Sequence, residues 1–317
     1  MKMMRHKNKG FTLIELLTVI AIIAMLVGIL SVSQRKVKIV SLNLRQKAAF
    51  HGARISLELY SKDFGGYPDS ARVSDGGTSV TGAQRMTEAL FGRDDRGFNP
   101  KTKWHPTQDA ASNPNLYDAT VTAKDRKTPY FERKRGGFYA MADLWSGGAG
   151  GSSVYLGISS AAAGDNKTQV SPVFTDVFER NTVTFPSGDT EKVGMPVLYF
   201  KADPTKRFRV DSSNNSVTVQ NTDMAVYGNW VYNFADNLPI LQLPWLREPD
   251  TVTDGMTVHY RDPQDAAKSN AQYFYELVTA RQDGNFFKPH NQSTFLLISA
   301  GYDGIYGTRD DLTNFDD

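Results

Sequence analysis

From Phe11 to Leu30 the chain carries twenty consecutive residues that are apolar except for Thr12, Glu15, Thr18 and Gly28. At about 1.5 Å per residue, a helix of that length just crosses a hydrocarbon core of about 30 Å. The preceding ten residues carry Lys2, Arg5, Lys7 and Lys9 and no acid. Such a flank keeps the N-terminus cytoplasmic and sends the remainder across. An ordinary secretory h-region spans about 7–15 residues and closes on a small-residue cleavage site. No such site follows Leu30, where Ser31-Val32-Ser33-Gln34-Arg35-Lys36 continues in helix-compatible sequence.

The helical pattern runs on through Asp63, without Pro and with Gly52 as its only Gly beyond the apolar run. Leu44, Ala48, Ile55 and Leu59 fall at multiples of three and four, with Phe50 and Ala53 nearby, and predict one packed face. Gly65-Gly66 and Pro68 then stop the helix. Phe11 to about Lys62 makes a helix about 75 Å long.

Beyond it the periodicity changes. Asp69 to Ser153 is rich in Gly, Asn, Asp, Ser and Pro, with a short helix expected over Met86–Leu90 ahead of Gly92. Gly147–Ser153 lacks the G-x-x-x-x-G-K-[ST] spacing of a phosphate-cradling loop and reads as a flexible turn. Strands are predicted at Val154–Ile158, Val170–Phe178, Met195–Lys201, Ser216–Val219 and Met224–Phe234, a late helix at Gln272–Arg281, and a buried strand at Ser293–Ser299. The predicted class is α+β: a long N-terminal transmembrane and stalk helix packed on an antiparallel β-sheet head with large loop insertions. Those insertions are placed at residues 92–192 and 235–290. The organisation expected is 1–10 as a basic cytoplasmic leader, 11–64 as the transmembrane and stalk helix, and 65–317 as the head.

Composition narrows the function. At 40% hydrophobic and 22% charged residues the chain is globular, not disordered. The formal charge is +2, and −2 without the four cations of residues 1–10, so no electrostatic case for nucleic-acid binding exists. The absence of Cys excludes disulfides and thiol catalysis. The five His residues form no H-E-x-x-H pair, and no G-x-S-x-G elbow occurs. No catalytic residue is assigned; His259 and His290 are expected to be surface or structural. Trp104, Trp145, Trp230 and Trp245 are assigned mainly to the core.

Glu15 stands apart. A carboxylate inside an apolar span costs a few kcal/mol on insertion scales and marks a specific partner. Gly10-Phe11-Thr12-Leu13-Ile14-Glu15 behind a basic leader resembles the type IV pilin superfamily, which includes the type II secretion pseudopilins. The resemblance implies that a prepilin peptidase cuts between Gly10 and Phe11 and methylates the Phe11 amine. It also implies that Glu15 pairs with the amine of an incoming subunit in a helical filament. Tyr60-Ser61-Lys62-Asp63-Phe64-Gly65-Gly66-Tyr67-Pro68 adds to the likeness at the stalk end. Many pilins carry a stalk proline where Val32 stands here, so the usual kink is not expected.

The C-terminal stretch Ser299-Ala300-Gly301-Tyr302-Asp303-Gly304 followed by Gly307-Thr308-Arg309-Asp310-Asp311 resembles the calcium loop of major pseudopilins. Carried over by position, Asp303, Asp310 and Asp311 would offer carboxylates to calcium, with the carbonyls of Ile298, Gly301 or Thr308 as further candidates. The reading is a non-enzymatic filament subunit, anchored in the bacterial inner membrane with its head periplasmic, or extracellular after assembly. Its implied partners are the peptidase, other pilin-like subunits and an inner-membrane assembly platform. The alternative is a membrane-anchored periplasmic binding module or hydrolase on the same anchor.

Overall fold

Thr12 opens and Gly65 closes the helix that the sequence pattern calls for. The computed structural model describes residues 11–120, 123–132, 137–145, 153–179, 181–185, 187–206, 230–244, 257–281 and 287–315, the side chains of 29–33 and 35 excepted. Helix α1 spans Leu13–Phe64 as one 52-residue element. Gly65, at a φ of 76°, donates its N–H to the Ser61 carbonyl and ends it, as a glycine just past a helix does. The chain divides into two units, Met1–Leu44 and Arg45–Asp317.

In the first unit, apolar side chains stand exposed on every side of α1, from Leu13 (81%) through Leu17, Ile20 and Ile23 to Val27 (58%). A helix apolar all round belongs in a membrane or among other helices.

In the second unit the remainder of α1 contributes a buried stripe of Gln46, Ala49, Phe50, Ala53, Ser56, Leu57 and Tyr60. This corrects the expected face. Leu44, Ile55 and Leu59 are 64%, 44% and 45% exposed, and Ala48 is exposed as well. The inward stripe sets Gln46 and Ser56 among Ala49, Phe50, Ala53, Leu57 and Tyr60, and the two polar members bond what they pack on. The Gln46 side-chain oxygen accepts the Val177 N–H at 2.9 Å, and the Ser56 hydroxyl donates to the Tyr130 carbonyl at 2.5 Å. Tyr60 meets Phe98 and Tyr130 edge-on.

After α1 come strands β1 (Val73–Asp75) and β2 (Thr78–Val80), then helices α2 (Gly82–Phe91) and α3 (Pro106–Ser112). Next are β3 (Gly137–Ala140), α4 (Met141–Leu144), β4 (Pro172–Thr175), β5 (Asn181–Thr184), β6 (Thr190–Val193) and β7 (Leu198–Lys201). The chain ends with α5 (Leu238–Leu241), α6 (Asn270–Leu277), β8 (Thr279–Arg281), β9 (Phe287–Pro289), β10 (Phe295–Ser299) and β11 (Leu312–Thr313). Among the described residues these make small antiparallel sheets: a three-stranded one in the order β11-β10-β7, and the pairs β1–β2, β3–β4, β5–β6 and β8–β9. Strand β10 is central, with Phe295 opposite Lys201 and Ile298 opposite both Leu198 and Thr313. All five of its residues are buried, which is why it reads as a continuous apolar run and not an alternation.

Helix α2 is the hub. All ten of its residues are buried, and it packs on β4 and β7. Its start is a capping box in which the Thr81 N–H reaches the Gln84 side-chain oxygen at 2.8 Å. Gly92 ends it, so the expected Met86–Leu90 helix is there and longer.

Other expectations change. Val154–Ile158 forms only isolated bridges through Val154 and Gly157. Val170–Phe178 and Met195–Lys201 shorten to β4 and β7. The late helix stops at Leu277, and the chain turns into β8, whose Thr279 and Arg281 pair with Pro289 and Phe287. Trp230–Phe234 is a turn entering a 3-10 turn at Phe234–Asp236. Ser216–Val219, residues 224–229, residues 147–152 and Trp245 lie outside the described residues. Trp145 and Trp230 are buried and Trp104 is half-buried.

The predicted insertion 92–192 is pinned by a buried cation. Arg93, 1% exposed, meets Asp109 at 2.6 Å and Glu88 at 3.1 Å and donates to the Thr168 carbonyl at 2.5 Å. The Tyr117 hydroxyl donates to Glu88 at 2.8 Å, and its ring lies under the guanidinium. Hydrogen bonds on both acids satisfy the condition for a buried charge.

Candidate functional site

Phe11 and Thr12 precede the first helical turn, and Phe11 is 77% exposed. Thr12 is the N-cap. Its N–H donates to Glu15 Oε2 at 2.9 Å, its hydroxyl donates to the same oxygen at 2.7 Å, and the Glu15 N–H returns to Thr12 Oγ1 at 3.3 Å. Thr18 donates its hydroxyl to the Glu15 carbonyl at 3.0 Å. The arrangement is a reciprocal capping box, Thr at the cap and Glu three residues on. The carboxylate near the start of the apolar run therefore has a partner within its own chain. Its negative charge also sits at the positive end of the α1 dipole. The signal was present as Thr12-Leu13-Ile14-Glu15, a T-x-x-E spacing. Gly10 lies outside the described residues.

Among the described residues no helix is long and apolar enough to cross a membrane.

The C-terminal carboxylates gather in one loop between β10 and β11. The Asp303 N–H donates to Asp310 Oδ2 at 2.8 Å, the Ile305 N–H donates to Asp303 Oδ1 at 2.7 Å, and the Thr308 hydroxyl donates to Asp310 Oδ1 at 2.6 Å. Asp311 instead accepts the Gly307 N–H at 2.7 Å. Burial, together with the neighbouring Asp310, holds the Asp303 carboxyl above the ordinary range. Against the upward pull of its own burial, Asp310 is held below that range by Thr308 and by Asp303. Burial raises Asp311 well above it. Gly301 is required here: at a φ of 64°, a Cβ would run into the Asp310 carbonyl.

No group of three or more acids and histidines in a metal-holding arrangement occurs among the described residues. Asp303 and Asp310 adjoin each other, whereas Asp311 turns to the 307–308 backbone. Two adjoining carboxyls with few cations at hand fit a hard cation's preference for oxygen.

The loop is tied inward by Tyr306, which is fully buried and donates its hydroxyl to the Pro196 carbonyl. The Tyr306 N–H donates to His259 Nδ1 at 3.1 Å, and burial lowers that imidazole to about 3, leaving it neutral. His259 is structural, as expected. His290 stacks on Phe315 with ring centroids 4.3 Å apart.

A family model described as the prokaryotic N-terminal methylation motif matches residues 5–31. No curated protein and no solved structure matches the chain. The chain therefore carries a type IV pilin-like N-terminus, and that motif implies processing by a prepilin peptidase and a membrane-anchored, pilin-like protein.

Proposed function

We propose, with that pilin-like N-terminus as the premise, that the protein is a structural subunit of a pilus-like filament, of the type II secretion pseudopilus kind. The observation that carries this is the apolar exposure along α1. It continues past the membrane-length run through Val37, Val40 and Leu44 to Ile55 and Leu59. These positions recur at spacings of three, four, seven and eleven, those of one helix face. A plain anchor needs no apolar residues beyond the bilayer. A helix that leaves the membrane to pack among copies of itself does, since the hydrophobic effect then rewards burial of that stripe. The rival, a binding module or hydrolase that borrows the anchor, leaves the stripe unexplained.

In this reading the leader is removed after Gly10 and the new amine at Phe11 is methylated. The amine stays cationic at neutral pH. It pairs with Glu15 of a neighbouring subunit, taking over a carboxylate that Thr12 holds within the single chain. The N-terminus is cytoplasmic before assembly and the head periplasmic. The protein acts by assembly and not by catalysis, with the inner-membrane platform and other pilin-like subunits as partners. Calcium on Asp303 and Asp310 would relieve the repulsion within that pair and tie the chain end to β10.

The test is made in a host that carries a prepilin peptidase and an assembly system. Intact mass of the membrane-extracted protein is expected to show a chain starting at N-methylated Phe11. Ile55→Asp and Leu59→Asp should leave processing and folding unchanged and abolish sheared filaments. Normal filaments from both variants would overturn the stripe's role.

A further inference from the structure

Between Glu15 and Glu58 the chain holds no acid, while Arg35, Lys36 and Lys38 crowd together just past the apolar run. All three positions belong to one continuous helix, α1. Lys36 and Lys38 are exposed, and neither side chain has an ion pair or hydrogen bond among the described residues. Glu58, the next acid along α1, stands twenty residues beyond Lys38. That is about 30 Å along the helix, several Debye lengths at physiological salt. Nothing nearby on this helix neutralises the cluster.

A cationic flank here runs against the usual bias, which puts Lys and Arg on the cytoplasmic side of a span. The leader's four cations outnumber these three, and in the proposed reading the leader is removed. The mature chain then carries its juxtamembrane cations on the head side. Height decides what they meet. Lys36 and Lys38 lie six and eight residues past Leu30, about 9 and 12 Å beyond the apolar run. Headgroups fill roughly the 5–8 Å next to the hydrocarbon. Side chains on a helix tilt toward its N-terminus, which on α1 means back toward the membrane. Lys has the reach to bring its ammonium down to that level while its stem stays on apolar surface.

Direction points the same way. At about 100° per residue, positions 38, 35 and 36 fan over about 160° of the helix. Val37, Val40 and Leu44, all exposed, occupy an arc of about 60° on the other side. Cations and apolar stripe thus divide the circumference between them. A neighbouring helix bearing a row of acids would call for a row of cations on one face, at spacings of three and four. A fan suits a charged surface that surrounds the helix, as the headgroup layer of a bilayer does.

We propose that Arg35, Lys36 and Lys38 bind anionic phospholipid in the leaflet on the head side of the membrane, its phosphates accepting from the Lys ammonium groups. The contact fixes the depth of the helix once the leader has gone, and it leaves the apolar stripe to neighbouring subunits. This inference rests on the membrane anchoring of the proposed function and not on filament formation. Each cation near a charged leaflet strengthens the attraction about fivefold.

The test uses the full-length chain in vesicles. The sequence has no Cys, so Gln34→Cys, at an exposed position, takes a single neutral fluorophore beside the cations. Energy transfer to acceptor-labelled phosphatidylglycerol is compared with transfer to acceptor-labelled phosphatidylcholine, at about 50 mM and about 500 mM salt. Phosphatidylglycerol is expected to be favoured about tenfold or more at low salt and to lose most of that advantage at high salt. Arg35→Gln, Lys36→Gln and Lys38→Gln together should abolish the preference, and Lys36→Arg with Lys38→Arg should keep it. The leader's cations are present in every variant, so the difference reports the head-side flank. An integral chain with equal transfer to both lipids, or a preference that survives the triple Gln change, would overturn this proposal and leave the anchoring intact. A chain that alkaline carbonate strips from the vesicles would overturn the anchoring and this inference together. A signal that rises with protein density and not with phosphatidylglycerol content would put another copy's acids on these cations, and would also overturn the proposal.

Discussion

Glu15 Oε2 accepts both the N–H and the hydroxyl of Thr12, at 2.9 and 2.7 Å, so the carboxylate expected to wait for a neighbour's amine already caps its own helix. Capping and pairing can be separated by substitution. Gln preserves the capping box, while Leu removes it. Glu15→Gln is expected to insert and be processed like the unmodified chain and to form no filaments, as Glu15→Leu does, because both lack the charge. Filament yield by shearing and immunoblot checks it. Full assembly by the Gln variant would mean that the cap, not the charge, is what Glu15 provides.

Arg93→Met should be among the most destabilising single changes. It leaves Glu88 and Asp109 buried without their cation, a loss of about 3–5 kcal/mol. Urea unfolding of the full chain measures it. Adding Glu88→Gln and Asp109→Asn to Arg93→Met should recover part of the loss. No recovery would mean that packing, not charge, dominates there.

Calcium should raise the melting temperature relative to chelator, and Asp303→Ala should remove that difference. Asp311→Asn, whose side chain serves Gly307 and Thr308, should lower both melting temperatures and keep the gap between them. Asp303 titrates above the ordinary range, so protons compete and calcium affinity should rise with pH. A melting temperature indifferent to calcium would leave the loop to Tyr306 alone.

Asp236 makes stability depend on pH in a stated direction. Burial, with Asp69 adding to it, raises its carboxyl from 3.8 to about 7; the Ser70 hydrogen bond, Arg85 and Arg72 oppose. The folded state thus keeps a proton that the unfolded chain has lost, and stability falls as pH rises from about 4 to about 7. Asp236→Asn cannot ionise. It should melt at a temperature close to that of the unmodified chain at pH 4 and higher at pH 8. An unchanged difference between the two pH values would show that Asp236 does not titrate in the folded protein.

What the sequence alone determined here is what short-range chemistry dictates. The leader charge, the Gly10–Phe11 junction, the twenty-residue apolar run and the helix stop at Gly65-Gly66 are each written within a few residues, as is the buried strand that became β10. The T-x-x-E cap at Thr12 is equally local. Tertiary structure decided the rest. The face α1 turns inward depends on which donors and acceptors meet Gln46 and Ser56, groups more than seventy residues away in the chain. Arg93 gathers partners from Glu88 to Thr168, and Asp236 is buried beside Ser70 on a turn that Asn237 ties to β7. Burial and hydrogen-bond pairing are properties of neighbours in space, and no periodicity in the chain encodes them.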